Sequence, residues 1–274
     1  MRNGKNFIIT QHTANHYIQM IADWIRSKVR EANRKGVVLG MSGGVDCSVV
    51  ARLCQIADVP THLILMPYGG DMIKSKSYFD ALELLKKFNF QDVSNDPIAF
   101  SGEFNFSYHC YNIMPAVDAL WHDPVYTCES IDSSTETLTK ANLMPRVRMA
   151  YLYQFAQFKS FFVVGTGNMS ERTVGYFTKW GDGACDINPI GYLTKREVYI
   201  LAEFLGVPNS IISKKPSAEL WEGQTDEDEL GLTYNQIDNY LTHGSSGSPE
   251  ADALIEERKQ LSRHKFRKIP VFEI

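Results

Sequence analysis

Residues 36–54 read GVVLGMSGGVDCSVVARLC. An apolar run from Val37 to Met41 breaks into Ser42-Gly43-Gly44 and restarts at once with a helical pattern led by Asp46. Two adjacent glycines between a buried strand and a helix let the backbone curl tightly, so that several N–H groups point together at the helix mouth. That is the geometry of an anion site, and it predicts a strand, a phosphate loop and a helix in that order. Upstream, Ile18, Ile21, Ile25 and Val29 recur at helical spacing, so residues 15–35 form an amphipathic helix that Gly36 closes. Downstream, the helix over 43–57 leads into THLILMPY (61–68), a second apolar run. A polar loop at Gly69–Lys76 and a helix from Tyr78 to Phe88 follow.

Both strands are continuously apolar rather than alternating, and a third, FFVVGTGN (161–168), follows a long helical stretch from Glu136 to Phe158. Strands of this kind separated by helices specify an α/β fold with a doubly wound, mostly parallel sheet covered by helices on both faces. Residues 97–135 carry no sustained period and read as short helices and loops. Thr194 and Glu197 are spaced as a capping box ahead of VYILAEFLG, and Gly206-Val207-Pro208 stops that helix. The polar, acidic stretch at about 214–232 reads as a mobile loop, and GSSGSP (244–249) as a turn before a last helix ending near His264. No repeat divides the 274 residues, which are expected to form one domain, with a C-terminal helix and tail over 249–274.

The bulk composition excludes several classes of function. With 28 Lys and Arg against 32 Asp and Glu, the chain offers no basic stripe for nucleic acid. No run approaches the roughly 20 apolar residues of a membrane span. The five cysteines include no C-x-x-C pair, and Cys47 and Cys54 lie two turns apart on one helix, beyond disulfide reach. A soluble protein of the cytoplasm is expected.

The loop at 40–47, GMSGGVDC, is neither a Walker A motif nor a G-x-G-x-x-G fingerprint. Taken alone it could be a plain glycine turn, with Asp46 steadying a helix N-terminus. It resembles the S-G-G-x-D-S phosphate loop of the ATP pyrophosphatases, which cleave ATP between the α and β phosphates, and departs from it at Cys47, where that motif usually has serine. The second informative stretch is residues 165–198, GTGNMSERTVGYFTKWGDGACDINPIGYLTKREV. It begins at the C-terminal end of a predicted strand, where open α/β sheets bind ligands, and it is long and charged for a loop inside a domain. This segment, the phosphate loop, PSAELWEGQTDEDELGLTYNQIDNYL (216–241) and the pair His264-Lys265 together resemble the ammonia-dependent NAD synthetases over nearly the whole chain.

The resemblance implies an Mg²⁺-dependent enzyme that adenylates the nicotinate carboxylate of nicotinic acid adenine dinucleotide (deamido-NAD), releases pyrophosphate, and lets ammonia displace AMP. It implies that ATP is held by Gly40, Met41, Ser42, Gly43, Gly44, Val45, Asp46 and Cys47, with Thr166, Lys195 and Ser217, the last usually threonine in the family. Asp46 and Glu171 match the family's Mg²⁺ carboxylates; Arg146, Lys179, Asp186, His264 and Lys265 match its deamido-NAD contacts. A homodimer whose interface helps build the dinucleotide site is implied as well. The chemistry accounts for these residue types: pyrophosphate is a highly charged leaving group, so a metal and Lys195 stabilise charge that grows in the transition state. Ammonium is not a nucleophile, and Asp182 is the candidate for taking its proton so that ammonia can attack. Without the family match, Arg146 and His264 would read as ordinary surface residues, and Tyr151, Tyr153, Phe155 and Phe158 read as core or interface packing. Two rival readings are another ATP pyrophosphatase, such as a GMP synthetase core or a tRNA-thiolating enzyme, and a nucleotide-binding regulator that has lost catalysis. Retention of Asp46, Glu171, Lys179 and Lys195 together speaks against the regulator. Only 39 residues precede Gly40 and they contain no cysteine, so free ammonia rather than glutamine is the expected nitrogen donor.

Overall fold

The first strand, β1 (Gly36–Gly40), divides its residues between two cores: Val37 and Leu39 point to one face of the sheet, Val38 to the other. In β2 (Thr61–Leu65), Leu63 and Leu65 share the first face and Ile64 the second. A strand buried on both sides has no polar face to show, which is why both runs are continuously apolar. The computed structural model describes residues 9–70, 75–94, 105–122, 132–217 and 225–272. Its sheet has the order β3-β4-β2-β1-β5, where β3 is Gln91–Asp92, β4 is Phe106–Cys110 and β5 is Phe161–Val163, and every pairing is parallel. The chain leaves β1 toward β2 on one side and returns to β5 on the other, so the crevice between the ends of β1 and β5 is the topological switch point, where such sheets bind ligands.

Helices α1 (Ala14–Glu31), α2 (Val45–Ile56) and α7 (Lys195–Phe204) pack together on the face of Leu39 and Leu63. Helices α4 (Met114–Trp121) and α5 (Ser133–Lys159) cover the face of Val38 and Ile64. The helix α3 (Lys76–Lys87) follows β2. A third small core joins α6 (Met169–Val174), α9 (Asp226–Leu230), α10 (Tyr234–His243) and α11 (Pro249–Ser262) through Val174, Leu230, Ile237 and Ile255. The one-turn α8 (Asn209–Ile212) begins just past Pro208, and a 3₁₀ turn, Arg263–Lys265, ends the ordered C-terminal region.

Several boundaries differ from the sequence reading. The first helix stops at Glu31, with Asn33 in the left-handed region, and Gly36 opens β1; a Cβ on it would lie 2.4 Å from the Pro60 carbonyl oxygen. The third strand ends at Val163, after which Val164 makes only an isolated bridge to Ile187. Within 97–135 lies a full strand, β4, paired with β2 over five residues. Its Phe-Ser-Tyr-His-Cys sequence carries polar groups on the inward face, which hid it. The expected loop at 214–232 contains α9, with Asp226 and Leu230 buried. Residues 71–74, 97–104, 123–131 (with Cys128) and 218–224 of the loops read from sequence lie outside the described residues. Helix α5 runs unbroken through Pro145, where the missing N–H forgoes one backbone bond, because Ala141, Met144, Val147, Leu152 and Phe155 bury one stripe against the sheet. Phe158, from the same stretch, is 79% exposed.

The polar face of β4 belongs to a buried network. His62 Nδ1 lies 2.7 Å from Ser107 Oγ, His62 Nε2 lies 2.6 Å from His109 Nδ1, and His109 Nε2 lies 3.1 Å from the Tyr151 hydroxyl. Phe155 stacks on His62 at 4.4 Å. Burial, with the neighbouring His109 and Lys159, depresses His62 to about 3; burial depresses His109 to about 4 against the pull of Asp92. Both rings are therefore neutral in the folded protein while the unfolded chain takes up protons below about 6.5. The unfolded state binds more protons between that value and the depressed ones, so stability falls as pH drops through this window. At pH 5 each ring withdraws roughly 2 kcal/mol relative to pH 7.5. Urea unfolding at the two pH values will show a smaller acid loss for the double variant His62→Gln/His109→Gln than for the parent; equal losses would refute the neutral pair.

Candidate active site

Beyond β1 the backbone turns at Ser42 and Gly43, the latter at φ 83°, and Gly44 caps α2. Ser48 Oγ donates to the Gly44 carbonyl at 2.7 Å, and the Gly44 N–H donates to Ser42 Oγ at 3.3 Å. Cys47, where the motif usually has serine, keeps a bond within the loop: its thiol donates to the Gly44 carbonyl at 3.1 Å and lies 3.2 Å from Ser42 Oγ. Asp46 is in the first turn of α2 but makes no cap bond. Its carboxylate faces inward across the switch point.

There it meets residues that follow β5. Asn168 is fully buried and caps α6, accepting the Glu171 N–H on Oδ1 at 3.0 Å. Its Nδ2 donates to Asp46 Oδ1 at 2.9 Å, and its backbone N–H donates to Glu171 Oε2 at 3.2 Å. The other oxygen of each carboxylate turns to one cation: Lys195 Nζ is 2.6 Å from Asp46 Oδ2 and 3.0 Å from Glu171 Oε1. Lys195 is 3% exposed and is placed by the first turn of α7. Thr194 caps that turn, Ser170 Oγ accepts the Lys195 N–H at 2.9 Å, and Asp238 accepts the Arg196 N–H at 2.8 Å. Burial opposes the charge on Lys195, but Asp46 and Glu171 outweigh it and hold the ammonium above its ordinary range. Burial raises Glu171 to about 7, Lys195 pulling it down and Asp46 pushing it up. Behind Lys195 stands Tyr234, its ring centroid 4.8 Å from Nζ.

The cluster opens on a cavity of about 630 Å³ lined by Gly40, Met41, Ser42, Gly44, Val45, Asp46, Cys47, Thr166, Glu171, Lys195 and Ser217. Among the residues the sequence marked for ATP, only Gly43 stands back from the wall. A family model described as NAD synthase matches residues 17–272. The chain belongs to the NAD synthase family.

The chain is 40% identical over 254 residues to the NH₃-dependent NAD⁺ synthetase of Carboxydothermus hydrogenoformans, covering 91% of this chain and 93% of the relative. Among solved structures it is similar to an NMN synthetase from Francisella tularensis, with 33% identity, a TM-score of 0.81, and coverage of 95% of this chain and 99% of that one. It is also similar to the NH₃-dependent NAD synthetase from Campylobacter jejuni solved with a nitrate ion, with 29% identity, a TM-score of 0.71 and the same two coverages.

In this NAD synthase family member the residues expected at deamido-NAD lie along a seam rather than in one pocket, with Arg146 Nε donating to the Lys179 carbonyl at 3.3 Å. Lys265 lines the main cavity, with Nζ donating to the carbonyls of Gly175 and Phe177 at 2.7 Å each. Arg146 lines a separate cleft with Tyr153, Trp180 and Cys185, and Tyr153 carries its hydroxyl 3.4 Å from Asp186 Oδ1. The other Asp186 oxygen accepts the Val163 N–H at 2.7 Å, fixing the end of β5. Lys179 Nζ donates to the carbonyl of His264 at 3.1 Å, and the His264 ring is exposed and joins neither cavity. Asp182 is solvent-accessible at the main cavity; the protein around it partly strips its carboxyl of water and lifts it above the usual range, offset in part by the Thr178 N–H and by Lys265. The sequence reading missed Asn168, Tyr234 and Asp226. The asparagine could have been found from its capping-box spacing to Glu171; nothing local marks the other two.

Proposed function

We propose that this chain is a ligase that amidates the nicotinate carboxylate of deamido-NAD with ammonia at the expense of ATP, through an acyl-adenylate, releasing AMP and pyrophosphate. The observation that carries the proposal is the Asp46–Lys195–Glu171 cluster beside the phosphate loop at the switch point. The loop 40–47 presents N–H groups to the phosphates, and Thr166 and Ser217 line the same cavity. Lys195 supplies positive charge to the departing pyrophosphate in a site where little water competes. Asp182, whose carboxylate is made more basic than usual by its surroundings, is the candidate to receive a proton as the amine attacks. Arg146, Lys179, Asp186, His264 and Lys265 remain the candidate dinucleotide contacts.

Asp46 and Glu171 fit Mg²⁺. Two hard oxygens, Oδ2 and Oε1, already converge on one cation, and Asn168 holds the remaining oxygen of each. Among the described residues no group of three or more metal-binding side chains occurs, which suits an ion that takes one or two carboxylates and completes its shell from phosphates and water. When bound, Mg²⁺ neutralises phosphate charge. We further propose one synthetase domain over 1–274 that works in the cytoplasm as a homodimer. Outward-facing Tyr153 and Trp180 at the Arg146 cleft, with exposed Phe158 further along α5, support the dimer, and among the described residues no helix is long and apolar enough to cross a membrane.

The test is product formation from ATP and deamido-NAD with ammonium salts or with ammonia-free glutamine. Ammonium is expected to support turnover, with the rate at fixed total ammonium rising with pH as the neutral amine fraction grows, and glutamine to give almost none. Equal rates from glutamine would overturn the choice of donor. The likeness to the Francisella NMN synthetase favours a second reading, in which the acceptor is the nicotinate mononucleotide. Running both acceptors decides between them by the ratio of kcat/KM.

A further inference from the structure

One hydroxyl just behind the active-site wall lies between two carboxylates. Tyr234 is 6% exposed; its hydroxyl donates to Asp226 Oδ2 at 2.8 Å and lies 3.3 Å from Glu171 Oε1, the oxygen that faces Lys195. The tyrosine thus touches both members of the ion pair, Lys195 through its ring and Glu171 through its hydroxyl. Asp226 is itself buried, and its second oxygen accepts from Tyr176 at 3.2 Å. The Asp226 backbone N–H donates to the carbonyl of Pro216 at 3.1 Å, immediately before the cavity residue Ser217. A continuous path therefore runs from Glu171 through the Tyr234 hydroxyl and Asp226 to the backbone that carries Ser217.

Two buried acids that meet at one hydroxyl repel each other, and the phenol between them, its single proton donated to Asp226, holds them apart. Tyrosine does this without adding charge, and the phenol cannot ionise usefully here, since burial and the flanking acids drive it far above its ordinary range. A tyrosine needed only to fill the third core would do so equally well as phenylalanine, because Leu230, Ile237 and Ile255 contact an apolar surface.

We propose that Tyr234 is a positioning residue for ATP, fixing the spacing between the cation-facing carboxylate Glu171 and the Ser217 backbone through Asp226. This rests on the reading of the cavity as an ATP site. Without the hydroxyl, Glu171 and Asp226 face each other with nothing between them, Asp226 draws back, and Pro216 and Ser217 go with it. Loss of one hydrogen bond to a charged group corresponds to about a tenfold change.

The experiment compares Tyr234→Phe with Tyr240→Phe, which removes a tyrosine hydroxyl that donates to Glu256 from the same helix, away from the cavity and from Glu171. Expected for Tyr234→Phe are a KM for ATP raised about tenfold, kcat within about threefold, and a KM for deamido-NAD within about twofold. The shift in melting temperature produced by ATP with Mg²⁺ should need about tenfold more nucleotide. Tyr240→Phe should stay within about twofold of the parent in each. An unchanged KM for ATP in Tyr234→Phe, parallel rises in both KM values, or equal effects of the two variants would overturn the proposal. If Tyr234→Phe loses its cooperative melt, Asp226→Ala cuts the same path at its other end and must raise the KM for ATP alone. If the parent makes no amide product, the proposed reaction fails, and nucleotide protection against melting still decides whether Tyr234 positions ATP.

Discussion

Lys195→Met will fold yet lose turnover by roughly 10²–10³-fold, the scale set by removing one preorganised charge from a developing anion. The variant takes away the ammonium that Asp46 and Glu171 share and leaves the rest of the cavity wall in place. It also leaves two buried carboxylates uncompensated, and stripping one partner from a buried pair costs about 3–5 kcal/mol. In chelator the melting temperature should therefore drop, and Mg²⁺ should restore more of it in the variant than in the parent, because an added cation now meets no competitor at Oδ2 and Oε1. Steady-state pyrophosphate release and calorimetry with and without Mg²⁺ read both effects. Turnover within tenfold of the parent would remove Lys195 from the chemistry.

Gly43→Ala is expected to abolish nucleotide binding while sparing the sheet. Gly43 sits at φ 83°, where an L-residue pays about 1–2 kcal/mol, and a Cβ there would lie 2.1 Å from the Ser77 carbonyl oxygen and 2.9 Å from its carbon. Both are backbone atoms in the first turn of α3, so relief requires moving the loop or the helix. Either change turns the loop's N–H groups away from a common point, and turnover should fall at least about 100-fold. Gly70→Ala is the matched control, since a Cβ on Gly70 meets nothing within 4 Å. Calorimetry with ATP is the readout, and protection equal to the parent's would show that the loop tolerates a side chain.

Features whose information is local could be read without coordinates. The apolar strand over 37–40, the glycine pair and the Thr194–Glu197 box each determine their conformation within a few residues, and all three stand where expected. That the phosphate loop and the stretch 165–198 face one cavity was legible because both follow strand ends, whereas Ser217 was marked only by the family resemblance. The strand β4 was not, since His109 and Ser107 violate the apolar pattern and make sense only once His62, 47 and 45 residues away, supplies their partner. Asn168 looked like one more polar residue after a strand. Its second role depends on Asp46 arriving from a different helix. Tyr234 and Asp226 follow the same rule: their partner Glu171 lies 63 residues from Tyr234, and no spacing could have linked them.

The bond between Lys195 and Asp46 closes a span of 149 residues, and that between Asn168 and Asp46 a span of 122. Loop-closure entropy on this scale is repaid only after β1, β5 and α7 have docked. No contiguous fragment short of that span contains the two carboxylates and their cation, and a nascent chain has no active centre until α7 has been made and joined. Catalysis is in this sense the last property the molecule acquires as it folds and the first it gives up, so activity is a stricter gauge of its integrity than any signal from its helices.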